Sequence, residues 1–166
     1  MGEHVFIGVP VYRGEAYLTE TLESIRDQTH RDFSVLISID GPDPVCEAIC
    51  TKFLTDPRFA LVVQPDRLGW VGNINWLMAR AEGDFWCYHQ QDDLTHPEYL
   101  SRLVAHLAVH PQAALAYSDL VPFGRIEGTF SQPPPVIGAT AFLRQMAMLH
   151  GQYAAYAFRG LTRIGA

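Results

Sequence analysis

The sequence predicts an α/β fold in which a mostly parallel sheet carries helices on both faces. Two observations support this prediction. Strand-like and helix-like segments alternate four times along the chain, and polar side chains follow one strand after another at its carboxyl end. The 166 residues are expected to form a single domain, with regular βα units over residues 1–110 and a less regular part over residues 111–166.

Four apolar runs are typical of buried parallel strands, because they are rich in β-branched and aromatic residues. These runs lie at His4–Tyr12, Phe33–Ile39, Phe59–Val63 and Asp84–Gln90. Pro10 predicts the end of ladder pairing in the first strand, since proline has no N–H to donate.

Four helices are predicted where apolar residues recur at steps of three and four. They cover Glu15–Gln28, Val45–Leu54, Trp70–Ala81 and Pro97–Ala108. The last third is less regular, with weaker signals for a strand, a hairpin, a helix and a further strand. These are expected over Ala113–Tyr117, Val121–Phe130, Ala139–Leu149 and Gln152–Phe158.

The composition of the chain disfavours some binding partners and cellular locations. A net charge of −6 argues against a nucleic-acid partner but not against a phosphorylated ligand, because a bound divalent cation reverses the local charge. Three cysteines form no framework spacing and predict free thiols in a reducing compartment; Cys46 and Cys50 fit a buried helix face better than a metal pair. No transmembrane segment or leader is recognisable, which predicts a cytoplasmic protein.

A candidate site follows from the polar residues at strand ends. Asp92 and Asp93 follow the fourth strand and indicate a cation or phosphate site, although a turn and helix cap explains the pair equally well. Carboxyl ends of parallel strands share one edge of a sheet, so similarly placed residues should converge there. Those residues are Tyr12, Glu15, Asp40, Arg67 and Asn73.

Several motifs are missing. No Gly-x-Gly-x-x-Gly follows the first strand, and neither a Gly-Lys-Ser/Thr phosphate loop nor a Gly-x-Ser-x-Gly elbow occurs. Dinucleotide-binding domains, phosphate-loop proteins and α/β-hydrolases are therefore disfavoured. A nucleotidyltransferase also fits poorly, because the glycine-rich loop that such enzymes tend to use after the first strand is absent.

Six segments, in order, resemble the motifs of the family-2 glycosyltransferases over about the first two thirds of the chain. They are Gly8–Leu18, Leu22–Thr29, Ser38–Gly41, Arg67–Asn73, Ala81–Phe85 and Gln90–Asp93. The resemblance implies the GT-A architecture, a Rossmann-like αβα sandwich. It also implies metal-assisted, inverting transfer of a sugar from a nucleotide diphosphate sugar to a glycan, lipid or small-molecule acceptor, which the sequence does not identify.

The resemblance also implies roles for individual residues. Pro10, Tyr12 and Glu15 would border the nucleoside pocket, Asp40 would face the base, Arg67 would contact the diphosphate, Asn73 would belong to the donor site, and Asp92 with Asp93 would hold Mg²⁺ or Mn²⁺. Four of these residues have an alternative drawn from the residue type alone. Tyr12 also suits core packing, Asp40 a turn cap, Arg67 a solvated loop and Asp93 a helix cap.

Three departures from the family pattern bear on activity. Gln90 stands where the metal motif begins with an aspartate, which predicts weaker metal binding or a larger role for Asp93. Ile39 and Pro42 replace an aspartate and a serine. In the family, the general base lies beyond a segment that Phe158–Arg163 resembles. The catalytic residue of this chain is therefore unknown. Either the chain is truncated at its carboxyl terminus, or it is a non-catalytic nucleotide-sugar-binding or interaction module.

Overall fold

A computed structural model describes residues 3–119, 121 and 160–164. The chain divides into two compact units, residues 1–116 with 160–166 and residues 117–159. Whether these belong to one domain stays a prediction. The elements expected over residues 122–158 lie outside the described residues, and the account below concerns the first unit.

The strands are β1 Val5–Val11, β2 Phe33–Ile39, β3 Phe59–Val63, β4 Phe85–Tyr88, β5 Leu115–Tyr117 and β6 Gly160–Arg163. Within the described residues these six strands form one sheet in the order β3-β2-β1-β4-β6-β5. Parallel pairing joins β1 to β2, β1 to β4 and β2 to β3, whereas β6 is antiparallel to β4. The mostly parallel α/β sheet predicted from the sequence is therefore confirmed.

All four predicted helices are present, each somewhat shorter or shifted at its ends. They are α1 Leu18–Arg26, α2 Pro44–Thr51, α3 Gly69–Met78 and α4 Tyr99–Val109. The first helix begins later than predicted because Gly14 O accepts the N–H groups of Tyr17 and Leu18 in a turn that precedes it. The second begins at Pro44 because Asp43 caps it, accepting the N–H of Cys46 at 3.0 Å.

The two faces of the sheet carry cores of different size. Alternate strand residues such as Val5, Ile7 and Val9 join α1, α2 and α4 in the larger core, whereas Phe6 and Trp86 pack with Leu77 of α3 in the smaller one. The three cysteines are buried free thiols, as predicted. Burial raises the pKa of Cys46 to about 11 and those of Cys50 and Cys87 to about 12.

Pro10 does not end the pairing of β1 with β2, so that prediction is wrong. Pro10 pairs with Ser38 and Val11 with Ile39. On the other side the ladder with β4 ends at Gly8, whose carbonyl accepts the N–H of His89 at 3.0 Å. Residues 8 and 10 of a strand face the same neighbour, so the missing N–H of Pro10 falls on the β4 side and leaves the β2 ladder intact.

Candidate functional site

An open pocket of about 560 Å³ lies where β1, β2 and β3 end. The strands end together because their registers align Val11 with Ile39 and Ile39 with Val63. Four of the predicted donor-site residues, Tyr12, Glu15, Asp40 and Arg67, line this pocket. Turn residues that follow β2 and the loop after β3 complete it, so most of the lining is contributed by connections rather than by strands.

Asp40 is the buried charge of the pocket. Its side chain is only 3% exposed, Oδ1 accepts the N–H of Leu68 at 2.6 Å, and Oδ2 lies 3.7 Å from Nε of Arg67. Its own N–H donates to Val11 O at 2.8 Å. Asp40 therefore joins the ends of β1 and β2 to the start of α3, and its partner is not in its own turn. A simple turn cap does not describe this carboxylate.

Tyr12 and Arg67 lie against each other on the wall of the pocket. The guanidinium carbon of Arg67 is 3.8 Å from the centroid of the Tyr12 ring, a cation–π contact. Tyr12 is 36% exposed, so core packing does not describe it. Arg67 is exposed, but its contacts with Tyr12 and Asp40 hold it at the pocket. A planar aromatic surface, a carboxylate and a guanidinium thus face one space.

The backbone beside Tyr12 is strained. Arg13 has φ +50°, the left-handed region that residues other than glycine seldom occupy. Such a conformation costs about 1 kcal/mol or more and tends to be kept at functional sites. The turn it makes leads directly into Gly14 and Glu15, and it brings Glu15 to the pocket.

Four predicted residues lie outside the lining of this pocket, and Asn73 and Pro10 are two of them. Asn73 is buried on α3, where its Oδ1 accepts the hydroxyl of Ser38 at 2.5 Å and its Nδ2 donates to Ser38 O at 2.9 Å. Gln64 completes the network through a 2.9 Å bond from its Nε2 to Ser38 Oγ. Asn73 therefore fastens α3 to β2. Pro10 is half-buried inside β1.

Asp92 and Asp93 follow β4 and do not line the pocket. Asp92 is exposed and Asp93 is half-buried. The residue before them, Gln91, connects their loop to the pocket wall. Its Oε1 accepts the N–H of Tyr12 at 2.8 Å and its Nε2 donates to Tyr12 O at 3.0 Å. Sequence reasoning missed Gln91, because nothing in the local sequence signals a partner 79 residues away.

Glu15, Asp43 and Cys46 bring ligand atoms within 4.8 Å of one another. Two observations argue against a metal ion there. Asp43 is engaged as the cap of α2, and the N–H of Cys46 that it accepts lowers the pKa of the carboxyl. Burial raises the pKa of the Cys46 thiol to about 11, so releasing its proton to bind a metal ion costs more than for an exposed thiol.

None of the helices that the structure describes is long and apolar enough to cross a bilayer.

The fold is that of the GT-A glycosyltransferases. The crystal structure of S. aureus TarS 1-349 superposes with a TM-score of 0.68 at 23% identity, covering 75% of this chain and 38% of that one. The mannosyltransferase PcManGT from Pyrobaculum calidifontis, in complex with GDP-Man and Mn²⁺, gives a TM-score of 0.63 at 21% identity over 71% of this chain and 35% of that one. At this identity the likeness shows the fold alone, and it confirms the predicted architecture.

The chain belongs to glycosyl transferase family 2, whose family model matches residues 6–159. Protein CgeD of Bacillus subtilis is 34% identical over 125 residues, or 71% of this chain and 29% of the relative. Glycosyltransferase GlyA of Streptococcus pneumoniae is 26% identical over 128 residues, or 77% of this chain and 18% of the relative. The chain thus spans less than a third of each of these proteins.

Proposed function

We propose that the chain binds a nucleotide diphosphate sugar as the donor domain of a metal-assisted, inverting glycosyltransferase. The observation that carries the proposal is the convergence of Tyr12, Asp40 and Arg67 on one pocket at the carboxyl edge of the sheet. Parallel sheets bind ligands at this edge. Family membership supports the same reading.

Each lining group suits one part of such a donor. The Tyr12 ring offers a surface on which a nucleobase can stack, and the buried Asp40 carboxylate can accept an N–H of the base edge. The guanidinium of Arg67 is planar and presents paired N–H groups that match two phosphate oxygens. We assign Glu15 to the same pocket, and we assign Pro10 and Asn73 to its support.

Asp92 and Asp93 would hold the cation. Their carboxylates supply the oxygen ligands that Mg²⁺ and Mn²⁺ prefer, and the exposure of Asp92 leaves it accessible to an ion. When bound, the metal would neutralise charge on the departing nucleoside diphosphate. Gln90 adds no charge to this group, so we expect weaker metal binding than an aspartate at that position would give.

Ligands bound in solved structures of the same fold support a nucleotide-sugar donor. TarS structures are described as complexes with UDP and with UDP-GlcNAc, and the PcManGT complex contains GDP-Man and Mn²⁺. These ligands differ in base and sugar, and we do not choose between them. The acceptor is a glycan, a lipid or a small molecule.

Calorimetric titration with UDP-, GDP- and dTDP-sugars, in Mn²⁺ and again in EDTA, tests the proposal. We expect one donor class to bind in the micromolar to millimolar range, more tightly with Mn²⁺, and free nucleoside diphosphate to compete with it. Circular dichroism of the same sample shows whether the chain is folded. A folded chain that binds no donor under either condition would contradict the proposal.

A second candidate function is a nucleotide-sugar-binding or interaction module without turnover. Gln90 in the metal motif favours it, because the missing charge weakens the cation's hold on the diphosphate. The measurement that separates the two is release of free nucleoside diphosphate from the donor that binds, with and without candidate acceptors. Binding without release supports the module; release above the rate of the chain with Asp92→Asn excludes it.

A further inference from the structure

We propose that Gln91 is a positioning residue that couples the cation side of the donor site to its nucleoside side. The inference rests on the proposed function of the pocket. Gln91 stands immediately before Asp92 and Asp93 in the chain, and its side chain is hydrogen-bonded to the backbone of Tyr12. One residue therefore links the loop after β4 with the aromatic wall of the pocket.

The amide of Gln91 replaces strand pairing where strand pairing ends. The ladder between β1 and β4 stops at Gly8 and Tyr88, and Pro10 has no N–H to continue it. Gln91 then binds both the N–H and the carbonyl of Tyr12, as a neighbouring strand residue would. Two bonds to one residue restrict rotation more than one bond does, so Tyr12 and the loop after β4 move together.

The surroundings of Gln91 hold it in this position from two directions. The backbone carbonyl of Gln91 accepts the hydroxyl of Thr21 at 2.8 Å, and Thr21 is fully buried on α1. On the other side Gly14 leaves room for the amide, since a Cβ at residue 14 would overlap Oε1 of Gln91. Gly14 does not have a positive φ, so this close approach, rather than the backbone conformation, is what favours glycine at residue 14.

A link of this kind has a thermodynamic consequence. If a cation bound to Asp92 and Asp93 restricts the motion of the loop after β4, the hydrogen bonds of Gln91 extend that restriction to Tyr12. A nucleobase stacked on Tyr12 restricts the loop after β4 in return. Linkage requires the two effects to be equal. Metal should therefore raise nucleoside diphosphate affinity by more than its direct contact with the phosphates supplies, and the excess should depend on Gln91.

The test compares Gln91→Met with wild type by two readouts. Methionine fills nearly the same volume without either hydrogen bond. Amide hydrogen exchange should become faster at Tyr12, whose N–H loses its acceptor. Calorimetry with UDP, GDP and dTDP measures the metal ratio, which is the affinity for the nucleotide in Mg²⁺ divided by its affinity in EDTA. In Gln91→Met this ratio should fall by about five- to tenfold, within the usual range of coupling between sites. The EDTA affinity should change little.

A second variant keeps the inference testable if Gln91→Met folds poorly. Gly14→Ala pushes the Gln91 amide off Tyr12, so by itself it should speed amide exchange at Tyr12 and lower the ratio of the affinity in Mg²⁺ to the affinity in EDTA. Where Gln91→Met does fold, Gly14→Ala should have little further effect in that background, which completes a mutant cycle. Gln112 is an exposed glutamine in the turn after α4, so Gln112→Met is the control for replacing a glutamine by methionine. It should leave both the exchange rate at Tyr12 and the metal ratio unchanged.

Two results have different meanings. Faster amide exchange at Tyr12 with an unchanged metal ratio in Gln91→Met would overturn the coupling, because Gln91 would then stabilise only the local structure. That result would not contradict the proposed donor site. Wild-type protein that binds no nucleoside diphosphate would overturn the proposed function, and the coupling with it.

Discussion

Two of the carboxylates that the sequence places at strand ends, Asp40 and Asp92, differ in how the protein holds them. Asp40, after β2, is almost completely buried and receives the N–H of Leu68 with Arg67 close by. Asp92, after β4, is exposed. Burying a carboxylate is costly unless hydrogen bonds and a counter-charge compensate it, whereas an exposed carboxylate is solvated by water.

This difference separates the two halves of the proposed donor site. The Asp40 side is assembled by the fold itself, since its groups already contact one another. The Asp92 side keeps its charge available, and water on an exposed carboxylate is readily exchanged for a cation. We therefore expect substitutions at Asp40 to change both stability and binding, and substitutions at Asp92 to change binding alone.

Asp40→Ala should have the largest effect. Removing the carboxylate leaves the Leu68 N–H without its acceptor and Arg67 without its nearest anion, so the free energy of unfolding should fall by about 2 kcal/mol. Nucleoside diphosphate affinity should fall about 100-fold or more, because a charge-assisted bond is lost from a preformed site. Urea unfolding and calorimetry measure the two.

Asp40→Asn is the matched control, since its amide oxygen can still accept from Leu68. It should retain most of the stability and lose most of the binding. If Asp40→Ala were as stable as wild type, the contacts of Asp40 would not stabilise the fold, and the contrast with Asp92 would be wrong.

Asp92→Ala should lower nucleoside diphosphate affinity in Mn²⁺ by about 10- to 100-fold and have little effect in EDTA, because the variant lacks the proposed cation ligand. The free energy of unfolding should stay within about 0.5 kcal/mol of wild type, as expected for an exposed side chain. Asp27→Ala, an exposed aspartate at the end of α1, controls for net charge. A loss of affinity that persists in EDTA would assign Asp92 to a role other than metal binding.

Gln90→Asp sharpens the comparison by adding the charge that this chain lacks. One further carboxylate at the cation loop should raise Mn²⁺ affinity about tenfold, equivalent to about 1.4 kcal/mol. Manganese electron paramagnetic resonance measures the free ion directly. Unchanged affinity would mean that residue 90 does not reach the cation, and Gln90 would then no longer favour the non-catalytic alternative.

Asp43→Ala should have the smallest effect, about 1 kcal/mol of stability from loss of the α2 cap. The N–H of Cys46 lowers the pKa of the Asp43 carboxyl, so its charged form is stabilised by folding. That contribution is present above the unfolded-state pKa of about 3.9 and is lost as pH falls through the lower folded-state pKa. Urea unfolding from pH 7 to pH 2.5 measures it.

Asp43→Asn keeps a neutral cap and isolates the charge. Its stability deficit relative to wild type should be present at pH 7 and should vanish at the acid end of the series. A deficit that grows on acidification would contradict the sign of the shift.

Local pattern was sufficient for the parallel strands. Phe33–Ile39 and Phe59–Val63 were predicted to the residue, because β-branched runs bounded by turn residues have few alternatives. Helix starts were less accurate, since the turn at Gly14 and the cap at Asp43 depend on individual hydrogen bonds. The antiparallel β6 was missed: Gly160–Arg163 is short and mixed in polarity, and its place in the sheet between β4 and β5 makes it a strand.

The sequence by itself determined the fold class, the order of the strands and helices, and the residue types at the strand ends, because hydrophobic periodicity and turn chemistry are local properties. Only the tertiary structure decided which of those residues share a pocket. It placed Tyr12, Asp40 and Arg67 together, turned Asn73 toward Ser38, and joined Gln91 to Tyr12. These contacts join residues far apart in the chain, and the register and twist of the whole sheet set their distances.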